Sequence, residues 1–132
     1  METGHNESPP TLATVVVVDD NETNLALFRH VLARRPGLDV LLESDGQRGL
    51  DLIRQRSPDL VLVDLHLPTI DGETIVRAVR SDPATAAIPV VVISGDATTR
   101  TKRRLREAGA SDYFEKPFKI QALLDVVNGL LR

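Results

Sequence analysis

The sequence predicts an α/β protein built on a doubly wound, five-stranded parallel sheet. Three observations carry this. Short runs of β-branched and aliphatic residues alternate with longer segments whose apolar positions recur every three or four residues, and the alternation repeats five times. The chain is 42% hydrophobic but only 3% aromatic, so its core must be built from Val, Leu, Ile and Ala, the palette of parallel sheets covered by helices. With 132 residues it is one domain's worth, long enough to bury roughly two-thirds of its unfolded surface.

The elements follow in order. Residues 1–13 are polar, contain Pro9-Pro10 and lack periodicity, which predicts a disordered leader ahead of a folded unit over residues 14–132. The strand-like runs are Val15–Val18, Val40–Leu42, Leu60–Val63 and Val90–Ile93, with a short fifth at Tyr113-Phe114. The first four are too short for buried helices and have the residue types of strands buried on both faces. Between them, Asn21–Arg35 carries Leu27, Phe28, Val31 and Leu32 at helical spacing and is stopped by Pro36-Gly37. Further helices are predicted at about Gly46–Gln55, with Leu50 and Ile53, and at about Gly72–Arg80, with Ile75, Val76 and Val79. The last two are about Thr98–Ala108, ended by Gly109, and about Ile120–Leu131, with Leu123, Leu124, Val127 and Leu130. Strand and helix thus alternate five times, which implies right-handed crossovers and helices on both faces of the sheet.

Composition excludes several function classes. There is no cysteine, so neither a disulfide framework nor thiolate chemistry is available. No apolar run approaches a membrane span, and the N-terminus lacks a basic region followed by an apolar one. A cytoplasmic chain without membrane contact is expected. The net charge of −3 makes direct nucleic-acid binding unexpected.

In sheets of this kind, sites form beyond the carboxyl ends of the strands. The first run ends in Asp19-Asp20, the third in Asp64, the fourth in Ser94, and the fifth is followed by Lys116-Pro117. In the strand order 2-1-3-4-5 these side chains converge on one end of the sheet. Three clustered carboxylates repel unless a cation joins them. A hard divalent ion with oxygen ligands, Mg²⁺ above all, answers that need. Lys116 and Ser94 then supply a charge and a donor for a second anion, which makes the set a phosphoryl-handling constellation. Singly, each residue has an ordinary reading: a helix-capping or turn aspartate, a solvated lysine. Their joint occurrence at four strand ends is what sets them apart.

Four segments carry a more specific signal: Asp19-Asp20 after the Val-rich run, Asp64-Leu65-His66-Leu67-Pro68-Thr69-Ile70-Asp71-Gly72, Ser94-Gly95-Asp96-Ala97, and Gly109 through Phe118. From about residue 14 to its end the chain resembles the receiver domains of two-component response regulators, the CheY-like family, in order and spacing. The resemblance implies a flavodoxin-like fold with strand order 2-1-3-4-5. It implies Asp64 as phosphoacceptor, Asp20 as a direct Mg²⁺ ligand, Asp19 as a ligand acting mainly through water, and the His66 backbone carbonyl as a third protein ligand. Ser94 and Tyr113 match the family's switch pair, and Lys116 the lysine that contacts the phosphoryl group. The Lys116-Pro117 bond is expected to be cis, which turns the chain so that the lysine points back into the cleft. The implied function is to take a phosphoryl group from a phosphohistidine of a histidine kinase or histidine phosphotransfer protein. Such a domain promotes only its own phosphorylation and dephosphorylation.

His66 is the residue where the chain departs from the resemblance; it is not read as a metal-binding histidine, since His5, His30 and His66 have no ligand spacing and no Cys companions. Its side chain is expected at the rim of the cleft, where with Asp96 it sets how quickly water reaches the phosphoryl group. An aspartyl phosphatase would need a carboxylate at position 66, and an FMN carrier a Ser/Thr/Gly-rich loop where this chain has Asp19-Asp20-Asn21-Glu22. The output surface is expected on the fourth helix, fifth strand and fifth helix, open to an effector or a second copy. The fourth helix carries Arg100, Lys102, Arg103, Arg104 and Arg106 but one large apolar residue, Leu105, so burial should hold it weakly.

Overall fold

The computed structural model describes residues 13–96 and 98–131. The chain runs β1 (Ala13–Val18), α1 (Glu22–Leu32), β2 (Leu38–Glu43), α2 (Gly46–Arg56), β3 (Leu60–Val63), α3 (Gly72–Ser81), β4 (Val90–Ser94), α4 (Thr99–Ala108), β5 (Asp112–Glu115) and α5 (Ile120–Leu130). The leader expected over residues 1–13 lies outside the described residues, except for Ala13, which opens β1.

All strand pairs are parallel and the order is β2-β1-β3-β4-β5. Because side chains alternate across a strand, the Val-rich runs feed two cores. Val16, Val18, Val61, Val63, Val90 and Val92 face a layer made by Leu50 and Ile53 of α2, Ile75, Val76 and Val79 of α3, and Leu105 of α4. Val15, Val17, Leu60, Leu62, Val91 and Ile93 face Phe28, Val31 and Leu32 of α1 and Leu123, Leu124 and Val127 of α5. Each fully buried side chain of this kind contributes about 1.5–3 kcal/mol, so a one-residue slip of an inner strand would exchange two packed faces at once. Burial on both faces holds for β1, β3 and β4, whereas β2 is half-buried along its whole length. β2 is an edge strand, with a neighbour on one side only.

Four helices start on a side-chain cap. Asn21, Asp45, Asp71 and Thr98 accept from the backbone N–H three residues on, satisfying a donor that the first turn leaves free. α1 stops at Leu32, three residues before the predicted end, because Arg34 and Arg35 bond back to Val31 and Leu32 in a tighter turn. The inward stripe of α1 is Leu25, Phe28, Val31 and Leu32. Leu27 falls off that stripe and is 39% exposed.

α4 buries Thr101 and Ala108 besides Leu105 and is tied at both ends by polar contacts. At its start, Asp96 accepts from the Thr98 N–H and hydroxyl and from the Thr101 hydroxyl. At its end, Arg80 of α3 donates to the carbonyls of Gly109, Ala86 and Ile88 and to the Ser111 hydroxyl. Gly109 has φ 114°, and a Cβ there would sit 2.6 Å from Arg80 Cγ, so this turn needs glycine twice over. Among the described residues no helix is long and apolar enough to cross a membrane.

Candidate functional site

The strand order brings the ends of β1, β3 and β4 side by side. Asp19 follows β1 and its N–H is held by the Glu43 carbonyl at 3.0 Å. Asp64 follows β3 and its N–H is held by the Val18 carbonyl at 2.9 Å. The Lys116 N–H bonds to the Ser94 carbonyl at 2.9 Å, carrying the β5 ladder one residue past the strand. The Lys116-Pro117 peptide bond is cis, and the lysine side chain reaches across to the two acids. Its Nζ donates to Asp19 Oδ2 and Asp64 Oδ2, each at 2.9 Å.

Asp19 is buried and engaged on both oxygens. Oδ1 accepts from the Asn21 N–H at 2.9 Å, and Oδ2 from Asn24 Nδ2 at 3.3 Å as well as from Lys116. Asp64 is half-buried and also accepts, at 3.4 Å, from the His66 N–H. Asp20 is exposed at the mouth. Burial alone pushes the Lys116 ammonium down, but the hydrogen bonds and charges of Asp19 and Asp64 outweigh it and hold the group above the usual lysine range. A raised pKa stabilises the fold fully below the ordinary lysine value of about 10.4 and is lost only as pH rises through the folded value. The lysine therefore stays charged and paired throughout the neutral range.

Asp19, Asp20 and Asp64 each offer a carboxylate oxygen, all within 4.8 Å of one another. Three carboxylates against one ammonium leave two negative charges uncompensated, which is the demand of a divalent cation. The donors are all oxygen and one acid is open to solvent, so the set fits a hard ion such as Mg²⁺ that keeps several waters.

Ser94 is fully buried at the end of β4, and its hydroxyl accepts from the Asp96 N–H at 3.3 Å. The Tyr113 ring packs against the α2–α3–α4 face of the core. Its hydroxyl is buried and, among the described residues, meets no partner at hydrogen-bonding geometry. Burial pushes the phenol up, and the nearby Ser94 hydroxyl partly opposes this. The ring thus occupies the inward place. The His66 side chain is exposed. The Thr98 N–H holds the Asp96 carboxyl below the usual range, and the charge of His66 adds a small pull in the same direction.

The roles of four residues escaped the sequence. Asn24 braces Asp19 across one turn of α1, and no motif marks it. Thr98 and Thr101 hold Asp96, a pattern visible in hindsight as Asp-x-Thr-x-x-Thr. Gly72 lets α3 start against the Asp64 carbonyl, where a Cβ would lie 2.3 Å from that oxygen. A glycine at the first position of a predicted helix, directly after its capping aspartate, is the available clue to such a close approach.

The comparisons agree with this geometry. A family model described as the response regulator receiver domain matches residues 15–128. The polar-differentiation response regulator DivK of Brucella anthropi and that of Brucella abortus are each 30% identical over 118 residues, 89% of this chain and 95% of theirs. Among solved structures, the BeF3-activated N-terminal receiver domain of Klebsiella pneumoniae RstA superimposes with a TM-score of 0.83 at 31% identity, covering 90% of this chain and 98% of that one. The receiver domain of Francisella response regulator 1452 gives 0.83 at 28%, covering 90% and 96%. Fold, strand-end acids and family match point one way: the chain belongs to the response regulator receiver domain family, the phosphoacceptor domains of two-component signalling.

Proposed function

We propose that Asp64 is the phosphoacceptor and that its donor is a phosphohistidine on a histidine kinase or histidine phosphotransfer protein. The observation that carries this reading is the Lys116 ammonium, bonded at once to Asp19 and Asp64 beside an open third carboxylate. An Asp64 oxygen attacks phosphorus, the phosphorus–nitrogen bond of the phosphohistidine breaks, and the imidazole leaves with the bonding pair. Lys116 sits where an oxygen of the incoming group gains charge. Asp19, Asp20, Asp64 and the His66 backbone carbonyl would hold Mg²⁺, whose chemistry is to neutralise charge on the phosphoryl oxygens. The chain promotes its own phosphorylation and hydrolysis, with His66 and Asp96 at the rim governing the approach of water, in the cytoplasm.

The acyl phosphate adds close to two negative charges, by analogy with phosphorylated hydroxyl residues at about −1.5 to −2. Ser94 donates to it, and the Ser94–Tyr113 pair transmits the change to α4, β5 and α5, where an effector or a second copy binds.

The test is a small phosphodonor such as acetyl phosphate. Intact mass spectrometry is expected to find one phosphoryl adduct with Mg²⁺ and none with a chelator; an adduct indifferent to the metal contradicts the reading. In metal titrations, Asp20→Ala is expected to weaken binding more than His66→Ala, which keeps the backbone carbonyl. The reverse ranking would show the ligand assignment to be wrong. For the output surface, hydrogen exchange with and without beryllofluoride is expected to differ between Ser94 and Phe118. Changes restricted to α2 would refute that assignment.

A further inference from the structure

The Tyr113 ring gains burial against the core, but its hydroxyl contributes nothing to holding it there. A buried hydroxyl without a partner is unfavourable, and Tyr113 lies on an edge strand from which the ring could turn to solvent. A small cavity of about 40 Å³, lined in part by Lys102, Leu105, Arg106 and Tyr113, leaves the space between α4 and β5 incompletely filled. Packing on that side is therefore loose.

What closes over the ring is a lysine. Lys102, one turn into α4, places its ammonium 5.7 Å from the centroid of Tyr113. The same ammonium pairs with Glu115 Oε1 at 2.8 Å. Glu115 lies two residues beyond Tyr113, on the same face of β5, so the lysine stem spans from helix to strand with the ring beneath it. The other cations of α4 do different work or none: Arg104 pairs with Glu73 of α3.

We propose that Lys102 is a latch that holds Tyr113 inward and ties its position to that of α4 through Glu115. Releasing either end frees the ring. An effector that presents a carboxylate to α4 must compete with Glu115 for the same ammonium, so binding there and the position of Tyr113 are linked. The inference deepens the proposed function by adding regulation of the switch pair, but the latch itself needs neither metal nor phosphoryl group.

Tyr113 is the chain's one tyrosine, and there is no tryptophan, so tyrosine emission reports on this ring alone. Quenching by acrylamide is measured on the full chain without metal, for the unmodified protein, Lys102→Met, Lys102→Arg, Glu115→Gln and Arg106→Met, with helicity checked by circular dichroism. Lys102→Met and Glu115→Gln are expected to shift the ring toward solvent by roughly two- to fivefold in population, the span of an exposed cation–π contact. Lys102→Arg keeps the charge and is expected to stay protected, as is Arg106→Met. High salt should expose the ring in the unmodified chain and change little in Lys102→Met. Unchanged quenching in Lys102→Met, or an equal rise in Arg106→Met, overturns the latch. Adding Mg²⁺ and beryllofluoride to Lys102→Met separates the two readings: failure to restore protection counts against the switch role proposed for Ser94 and Tyr113 and leaves the latch standing.

Discussion

Asp64→Asn is expected to take up no phosphoryl group from a small phosphodonor under conditions where the unmodified chain gains one. The amide keeps the size of the side chain and, through its one acceptor oxygen, one of the two hydrogen bonds that Asp64 accepts, and Lys116 keeps Asp19 as a partner, so the fold should survive. What is lost is the nucleophile, since an amide oxygen cannot form the acyl phosphate. Asp19 is buried with both oxygens engaged and Ser94 is fully buried, so Asp20, exposed at the mouth, is the one other open carboxylate of the cluster, and the doubly substituted Asp20→Ala/Asp64→Asn chain tests it. Intact mass measured on both proteins decides the matter, and an equal yield in Asp64→Asn would remove Asp64 from the reaction.

Gly72→Ala is expected to destabilise the fold by about 1–3 kcal/mol, the usual cost of forcing an extra carbon into packed structure, and to slow phosphorylation as well. An alanine in a helix normally gains up to about 1 kcal/mol over glycine, so two effects of opposite sign compete. Here the added Cβ would lie 2.3 Å from the Asp64 carbonyl oxygen and 2.9 Å from Leu65 Cα. Both are backbone atoms. The Gly72 N–H is also bonded to the Leu65 carbonyl at 2.8 Å, so α3 can back away only by breaking that bond and shifting Asp64, the proposed phosphoacceptor. Gly129→Ala, near the end of α5 with nothing within 4 Å of its Cβ, is the control and should be neutral or slightly stabilising. Denaturant melts of the two variants compare them; equal stabilities would mean that the approach of α3 to Asp64 is not tight.

Much of this was legible in the chain itself. Val15–Val18, Leu60–Val63 and Val90–Ile93 announce inner parallel strands because only strands covered on both faces can be apolar at every position. The 3.6-residue stripes place α2, α3 and α5 with their ends nearly correct, since a helix buries the same face wherever it lies. Asp19, Asp20, Asp64, Ser94 and Lys116 could be singled out because they stand where apolar runs stop, and strand ends are where an α/β sheet gathers its polar groups. Leu25 rather than Leu27 completes the α1 stripe: Leu25 lies three residues before Phe28 and Leu27 four before Val31, so both fit helical spacing until a neighbouring surface selects one.

Tertiary structure alone decided contacts between residues of different elements. Lys116 bonded to Asp19 across 97 positions, Arg80 bonded to the turn at Gly109, Lys102 laid over Tyr113 and Gly72 pressed against Asp64 have no local pattern. Hydrophobic periodicity reports which way a side chain faces within its own element. It carries no information on which polar group of another element will lie opposite, because that depends on how far helices and strands slide and tilt as the two cores pack. The sequence by itself therefore determined the class of fold and which polar residues stand at its strand ends, while the packing of α3, α4 and β5 around the cleft decided how those residues are braced.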